Sequence, residues 1–276
     1  MFHHRIAAFA AATFLAAPAI AQEREAQIDA LYAALGLPEI IAIMQEEGID
    51  YGKELGAEMF PAGAGAEWQD AVAAIYDVSI MNEEVRGAFG EAIVDDDIPA
   101  MLDFFTSDRG RQIIELEVSA RRAMLDPAVE DASREVAAAQ VSDETDRFLA
   151  IRDFVDTNDL IESNVVGALN SSYAFYMGLI DGGVMPPDVT PETALQDVWA
   201  QEPDIRANTT EWVYAFLLLA YQPLSDDDLA AYQAFSETDA GADLNDALFL
   251  AFDGMFEDIS RALGLASSRF MLTQEL

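Results

Sequence analysis

The sequence predicts an all-α protein in which tandem duplicated multi-helix bundle units pack into one body after a signal peptide. Apolar residues recur at helical spacing along most of the chain, and no alternating strand pattern bounded by hairpin turns occurs. In addition, the stretch 95–125 is echoed 131 positions later, at 226–256. These observations predict a signal peptide at 1–21, a first helical unit at 22–140 and a second, divergent unit at 141–276.

The echo aligns without gaps over its whole length. Phe104 falls on Phe235, Gly110 on Gly241 and Met124 on Met255. The segment 130–136 then resembles 257–263, but the offset has fallen from 131 to 127. This change predicts a four-residue insertion around 126–129 in the first unit.

The first 21 residues have the layout of a cleavable secretory signal. Arg5 precedes an apolar run that ends in Ala19-Ile20-Ala21, which predicts cleavage between Ala21 and Gln22. The run is shorter than the about 20 residues that a membrane-spanning helix needs. We therefore expect a periplasmic or secreted protein with no stable membrane anchor after cleavage.

Composition excludes several kinds of chemistry. Both histidines lie in the signal region and the chain has no cysteine, so Ser-His-Asp and Cys-His catalysis, His- or Cys-ligated zinc and disulfides are absent from the mature chain. The formal net charge is −37, which opposes binding to nucleic acid or to anionic membrane surfaces. No sequence motif indicates a cofactor.

Apolar stripes and helix-stop residues predict the first helices in order. Helix 23–35 ends before Gly36, helix 37–59 is interrupted at Gly48 and Gly52, and 67–93 forms two helices that meet near 79–82. The aspartates at 95–97 are expected to cap a helix from Ile98 with Pro99 in its first turn. Ser107, and Thr238 in the second unit, are expected to cap the helix that follows.

The second unit is expected to repeat this order. Helical spacing returns over 142–180, the Gly- and Pro-rich stretch 182–191 predicts a loop, and the apolar segment 210–221 predicts a buried core helix too short to span a membrane.

The motif Phe104-Phe105-Thr106-Ser107-Asp108-Arg109-Gly110 resembles the DUF2059 family of exported bacterial proteins. The typical pattern there is an aromatic pair, Ser-Pro-x-Gly and a helix, so Asp108 replaces the usual proline. The second copy at 234–241 is more divergent. The resemblance implies a helical exported domain and carries no activity or catalytic residue, because the function of the family is unknown.

The best candidates for a binding site are the first-unit arginines that the second unit does not repeat: Arg109, Arg111, Arg121 and Arg122, where the aligned residues are Ala240, Ala242, Phe252 and Asp253. Arginine suits an acidic protein partner or a small anionic ligand. The structural alternative is that they form i,i+4 ion pairs, such as Glu117 with Arg121 and Arg111 with Glu115.

The leading hypothesis is a non-enzymatic binding or interaction protein of the cell envelope. Two alternatives stay open. A hydrolase using carboxylates requires a deep pocket that holds two acids with raised pKa values. A calcium-binding protein would use acid clusters such as 95–97, although the ligand spacing of an EF-hand is missing. No catalytic or metal-ligating residue is assigned.

Overall fold

The computed structural model describes residues 16–60, 63 and 65–274, and every regular element in this part of the chain is a helix, which confirms the all-α prediction. Most of the predicted signal peptide, residues 1–15, lies outside the described residues. The helices are α1 (Ala16–Ala34), α2 (Leu37–Met59), α3 (Gly65–Ile75), α4 (Val78–Ala92), α5 (Ile98–Phe105), α6 (Asp108–Ala123), α7 (Pro127–Ser142), α8 (Asp146–Thr157), α9 (Leu160–Asp181), α10 (Pro191–Trp199), α11 (Glu202–Tyr221), α12 (Asp226–Ser236) and α13 (Asp239–Gln274).

Two sequence-based boundaries are corrected. Helix α2 runs without a break through Gly48 and Gly52, because these glycines give space to neighbouring side chains: a Cβ at Gly48 would lie 2.0 Å from the Tyr76 ring. Helix α4 begins at Val78, before the predicted junction near 79–82, since the Asp77 carboxylate caps it by accepting from two backbone N–H groups.

The helix caps at Ser107 and Thr238 are confirmed and have the same geometry. The Gly110 N–H donates to Ser107 Oγ at 3.1 Å, and the Gly241 N–H donates to Thr238 Oγ1 at 3.1 Å. In both turns a glycine is required, because a Cβ at either position would lie 2.2 Å from the carbonyl oxygen six residues earlier.

The helices within 146–274 correspond in chain order to those within 16–142, with α13 in the place of α6 and α7. A residue with positive φ precedes the second helix of each half, Gly36 (64°) before α2 and Asp159 (48°) before α9. The halves differ where α6 ends at Ala123 and α7 begins at Pro127, since α13 continues as one helix through the corresponding region. The four-residue change of offset falls at this break.

Each half completes its core with a helix from the other half. The apolar face of α13, including Leu244, Ala251 and Met255, is buried in the cluster formed by α1 to α5. The apolar face of α6, including Ile113 and Ala120, is buried with α8 and α11. Residues 22–140 and 141–276 therefore share their cores and do not form separate bodies.

Helices α9 and α13 approach each other closely. A Cβ at Gly178 would lie 2.3 Å from the Arg261 carbonyl oxygen, and a Cβ at Gly264 would lie 2.2 Å from that of Phe175. The two backbones meet because neither glycine has a side chain.

Among the described residues, no single helix has the length and hydropathy of a membrane span; only the pair Ala21–Ala34 and Leu37–Met59, bent by 56°, meets that standard jointly.

We expect Gly264→Ala to destabilise the protein. The added Cβ forces α9 and α13 apart, at a cost of about 1–3 kcal/mol that outweighs the roughly 1 kcal/mol gained from helix propensity. Gly254→Ala, in the same helix, is the control, because a Cβ at this position would have no neighbour within 4 Å and the helix should be stabilised. Denaturant unfolding followed by circular dichroism measures both. Equal stabilisation by both changes would contradict the close contact.

Candidate functional site

The candidate site is built around Glu117 on α6. This residue lies between Ile113 and Ala120 on the helix face that packs against α11, and these two buried neighbours are apolar. The Tyr221 hydroxyl donates to Glu117 Oε1 at 2.6 Å, and the Tyr232 hydroxyl also hydrogen-bonds to this carboxyl group. Helices α6, α11 and α12 thus converge on one carboxyl group.

Burial dominates the protonation of this group. It raises the pKa of Glu117 from the ordinary 4.5 to about 7, while the hydrogen bonds from Tyr221 and Tyr232 act in the opposite direction. Burial, followed by the nearby Glu117 charge, also raises the pKa of both tyrosines well above the ordinary value. At neutral pH the carboxyl group is therefore divided between its acid and carboxylate forms, and both tyrosines keep their protons.

Glu117 opens into a cavity of about 620 Å³ between the two halves of the chain, which leaves it partly accessible although protein surrounds it. Helices α6, α8, α9, α11, α12 and α13 contribute to its wall, with Met44 from α2. Most of the lining is apolar, and the aromatic residues include Phe154, Trp212, Phe216, Tyr232, Phe249 and Phe252. A concave, mainly apolar space with a few polar groups is the usual form of a small-molecule site.

Arg121 lies one turn after Glu117 and also lines the cavity. Its Nε and Nη2 donate to Glu47 Oε1 and Oε2 at 2.9 and 2.5 Å, and its guanidinium carbon lies 4.9 Å from the Trp212 ring centroid. Glu47 lines a second cavity of about 430 Å³, which shares Met44 with the first. The Glu47–Arg121 ion pair therefore stands between the two spaces.

A second acid, Asp253 on α13, lines the same cavity. It packs against the α9 backbone, since a Cβ at Gly167 would lie 2.4 Å from Asp253 Oδ1. Burial, with the Glu257 charge as the smaller cause, raises the pKa of Asp253. Within the described chain no basic residue lies within ion-pair distance of Asp253 or Glu117.

Of the arginines predicted as a site, only Arg121 lines this cavity. Arg109 pairs with Asp228 at 2.7 Å, Arg111 with Asp108, and Arg122 with Glu46 at 3.8 Å. Arg109 and Arg121 are twelve positions apart on α6, which is about 18 Å along the helix axis. The structure therefore places the four residues at two ends of one helix, and each is already paired with an acid.

The anticipated i,i+4 pairs are replaced by other partners. Arg121 binds Glu47 on α2, and Arg111 binds Asp108. Glu117, the expected partner of Arg121, binds tyrosines.

Among the described residues, the carboxylates of the aspartates at 95–97 either pair with another side chain of the protein or make no such contact. Asp95 pairs with Arg24 at 2.6 Å, and Asp97 occupies the N-cap position of α5 without a side-chain cap bond, so the expected capping role is wrong for its carboxylate. Across the described residues, no group of three acidic, His or Cys side chains is arranged to hold a metal ion.

The sequence also indicates Glu117 as a candidate, although the search for unrepeated arginines does not find it. Glu117 follows Ile113 by four positions and precedes Ala120 by three, so helical spacing places it within the apolar stripe. At the aligned position of the second unit the residue is Leu248, which also lines the cavity. A carboxylate in an apolar stripe is costly to bury and therefore marks a candidate site.

No protein-family model matches this chain, and neither a curated protein nor a solved structure is similar to it.

We expect Glu117→Gln to change how stability depends on pH. The folded pKa lies above the unfolded value, so the stability that Glu117 contributes is complete below about pH 4.5 and is lost as the pH rises through about 7. Glutamine resembles the protonated acid, so the variant should match the wild type at low pH and exceed it by up to about 3 kcal/mol near pH 8.

Denaturant unfolding across this pH range checks the effect. Glu115→Gln is the matched control, because it removes the same charge from an exposed position on the same helix and should give a curve parallel to that of the wild type. A Glu117→Gln curve that also runs parallel would show that Glu117 titrates like a solvated acid.

Proposed function

We propose that this protein binds a small, largely apolar molecule in the cavity between its two halves. The observation that carries the proposal is the cavity itself: about 620 Å³ lined mainly by aromatic and aliphatic side chains, with Glu117 and Asp253 among the seven polar or charged residues of its described lining. Its volume matches that of typical small-molecule sites. The proposal keeps the binding role expected from the sequence and assigns it to the cavity instead of an arginine-rich surface.

We also propose that the chain contains a tandem duplication and that the protein is exported. The parallel order of helices, the matching caps at Ser107 and Thr238, and the exchange of α6 and α13 between halves support a duplication. The residues at 1–21 support export to the periplasm or the medium, since they have the layout of a signal peptide.

We expect the neutral fluorescent probe N-phenyl-1-naphthylamine to bind the wild-type protein with one site per chain. Ala168→Phe should weaken binding at least about tenfold, because a benzyl group added at a cavity-lining position occupies the space of the probe. Fluorescence titration measures the affinity.

Ala132→Phe is the control, since Ala132 is exposed on α7 and does not line the cavity. Circular dichroism verifies that both variants are folded. If the probe binds both variants equally, it does not occupy the cavity, and the proposal fails.

A hydrolase that uses carboxylates is the second candidate. The observation in its favour is that Glu117 and Asp253, both with raised pKa, line one cavity, which is the arrangement that the sequence-based alternative requires. Protonated Glu117 would act as the general acid, and a carboxylate as the base.

For this candidate we expect wild-type protein to cleave a member of a panel of nitrophenyl glycosides and esters, with a rate that falls as the pH rises above about 7, because Glu117 then loses its proton. Glu117→Gln should lower the rate at least about hundredfold, and Glu115→Gln should not change it. Turnover by Glu117→Gln equal to that of the wild type would reject the hydrolase.

A further inference from the structure

The charges that face the cavity do not balance. Glu117 and Asp253 have no basic partner, and the single basic residue in the described lining, Arg121, is held by Glu47 through two hydrogen bonds and by the Trp212 ring. The arginine charge is thus already neutralised by the protein, whereas the charges of the two acids are not. When ionised, the acids leave the cavity with a net negative charge that an occupant can neutralise.

The aromatic lining also favours a positively charged occupant. Aromatic faces carry a partial negative charge that attracts ammonium groups within about 6 Å, and the attraction is strongest where water is excluded. Phe216, Phe249 and Phe252 line the cavity, and the Tyr221 hydroxyl holds the carboxyl group of Glu117 beside it. An aromatic wall next to a carboxylate is a suitable environment for an amine on an apolar body.

The net charge of the whole chain also favours a positively charged occupant. With a formal net charge of −37, the protein attracts cations over long range and repels anions. An anionic ligand would have to approach against this field and then displace Glu47 from Arg121. An inorganic cation is a poor alternative, because the described residues contain no group of three ligands for it.

We propose that the occupant of this cavity is an organic cation, an amine carried on an apolar or aromatic body, whose ammonium group donates a hydrogen bond to the Glu117 carboxylate. The apolar body lies against the aromatic wall, and Asp253 supplies the second negative charge from α13. This inference rests on the proposed function, since it names the class of molecule that the cavity takes.

Three naphthalene compounds with the same ring system provide the test: naphthalen-2-ylmethylamine is cationic, naphthalen-2-ylmethanol is neutral and naphthalen-2-ylacetate is anionic. Isothermal titration calorimetry measures each affinity near pH 8, where Glu117 is ionised, in about 1 M NaCl, which shortens the Debye length to about 3 Å. The salt removes the long-range attraction of the acidic surface and retains the contact with a buried carboxylate. We expect the amine to bind at least about tenfold more tightly than the alcohol, and the acetate to bind more weakly than the alcohol.

Variants then assign the preference to Glu117. Glu117→Gln should reduce the ratio of amine to alcohol affinity to about one while the alcohol affinity changes less than about twofold, because the apolar contacts persist. Glu115→Gln should keep the wild-type ratio. Asp253→Asn, which leaves Glu117 in place, should reduce the ratio only in part.

The outcomes separate the two proposals. Binding of the alcohol without a preference for the amine, or a preference that survives Glu117→Gln, overturns the organic cation and leaves the apolar cavity as a binding site. Failure of all three compounds to bind overturns the proposed function and the inference together.

Discussion

The architecture depends on the close approach of α9 and α13. Gly178 and Gly264 allow the two backbones to touch, so the longest described helix, α13, can lie between α9 and the helices of the first half. Away from this contact, Gly167 on α9 and Phe252 on α13 line the cavity. Both helices belong to the second half, and the same pair that meets at Gly178 and Gly264 also forms part of the cavity wall. Because the chain has no cysteine, packing of this kind has to supply the stability that disulfides provide elsewhere.

The cavity carries an electrostatic cost that the fold does not remove. A carboxylate buried without a basic partner is unfavourable, and the same burial raises the pKa of Glu117 to about 7. Tyr221 offsets some of it by donating a hydrogen bond of 2.6 Å, yet a leucine at the same position would carry no such cost. Stability alone does not account for an acid here. A ligand that bears a positive charge would, because it supplies the partner that the protein lacks.

Local signals in the sequence were sufficient for the fold class and for most helices. Apolar spacing, Pro99 in the first turn of α5, the cap at Ser107 and the loop at 182–191 all act over a few residues, and the structure confirms them. The break predicted at Gly48 and Gly52 was wrong, because the sequence alone does not distinguish a glycine that ends a helix from one that makes room for a neighbouring side chain. The ion-pair partner of Arg121 could not be predicted from the sequence either, because Glu47 lies 74 positions away. Whether an acid on α6 faces solvent or a cavity depends on helices more than 100 residues distant, although its place in the apolar stripe was visible.

The aligned stretches of α6 and α13 contribute different residues to the cavity wall. Helices α6 and α13 both line the cavity, and two pairs of positions aligned 131 residues apart do so with different residues: Glu117 with Leu248, and Arg121 with Phe252. Phe104 and Phe235, also aligned, stack with ring centroids 4.4 Å apart. Identical copies would have placed two acids or two leucines in this space. Under the proposed duplication, divergence at these two positions gave α6 a charged group where α13 has apolar side chains, and an amphipathic ligand requires both kinds of contact.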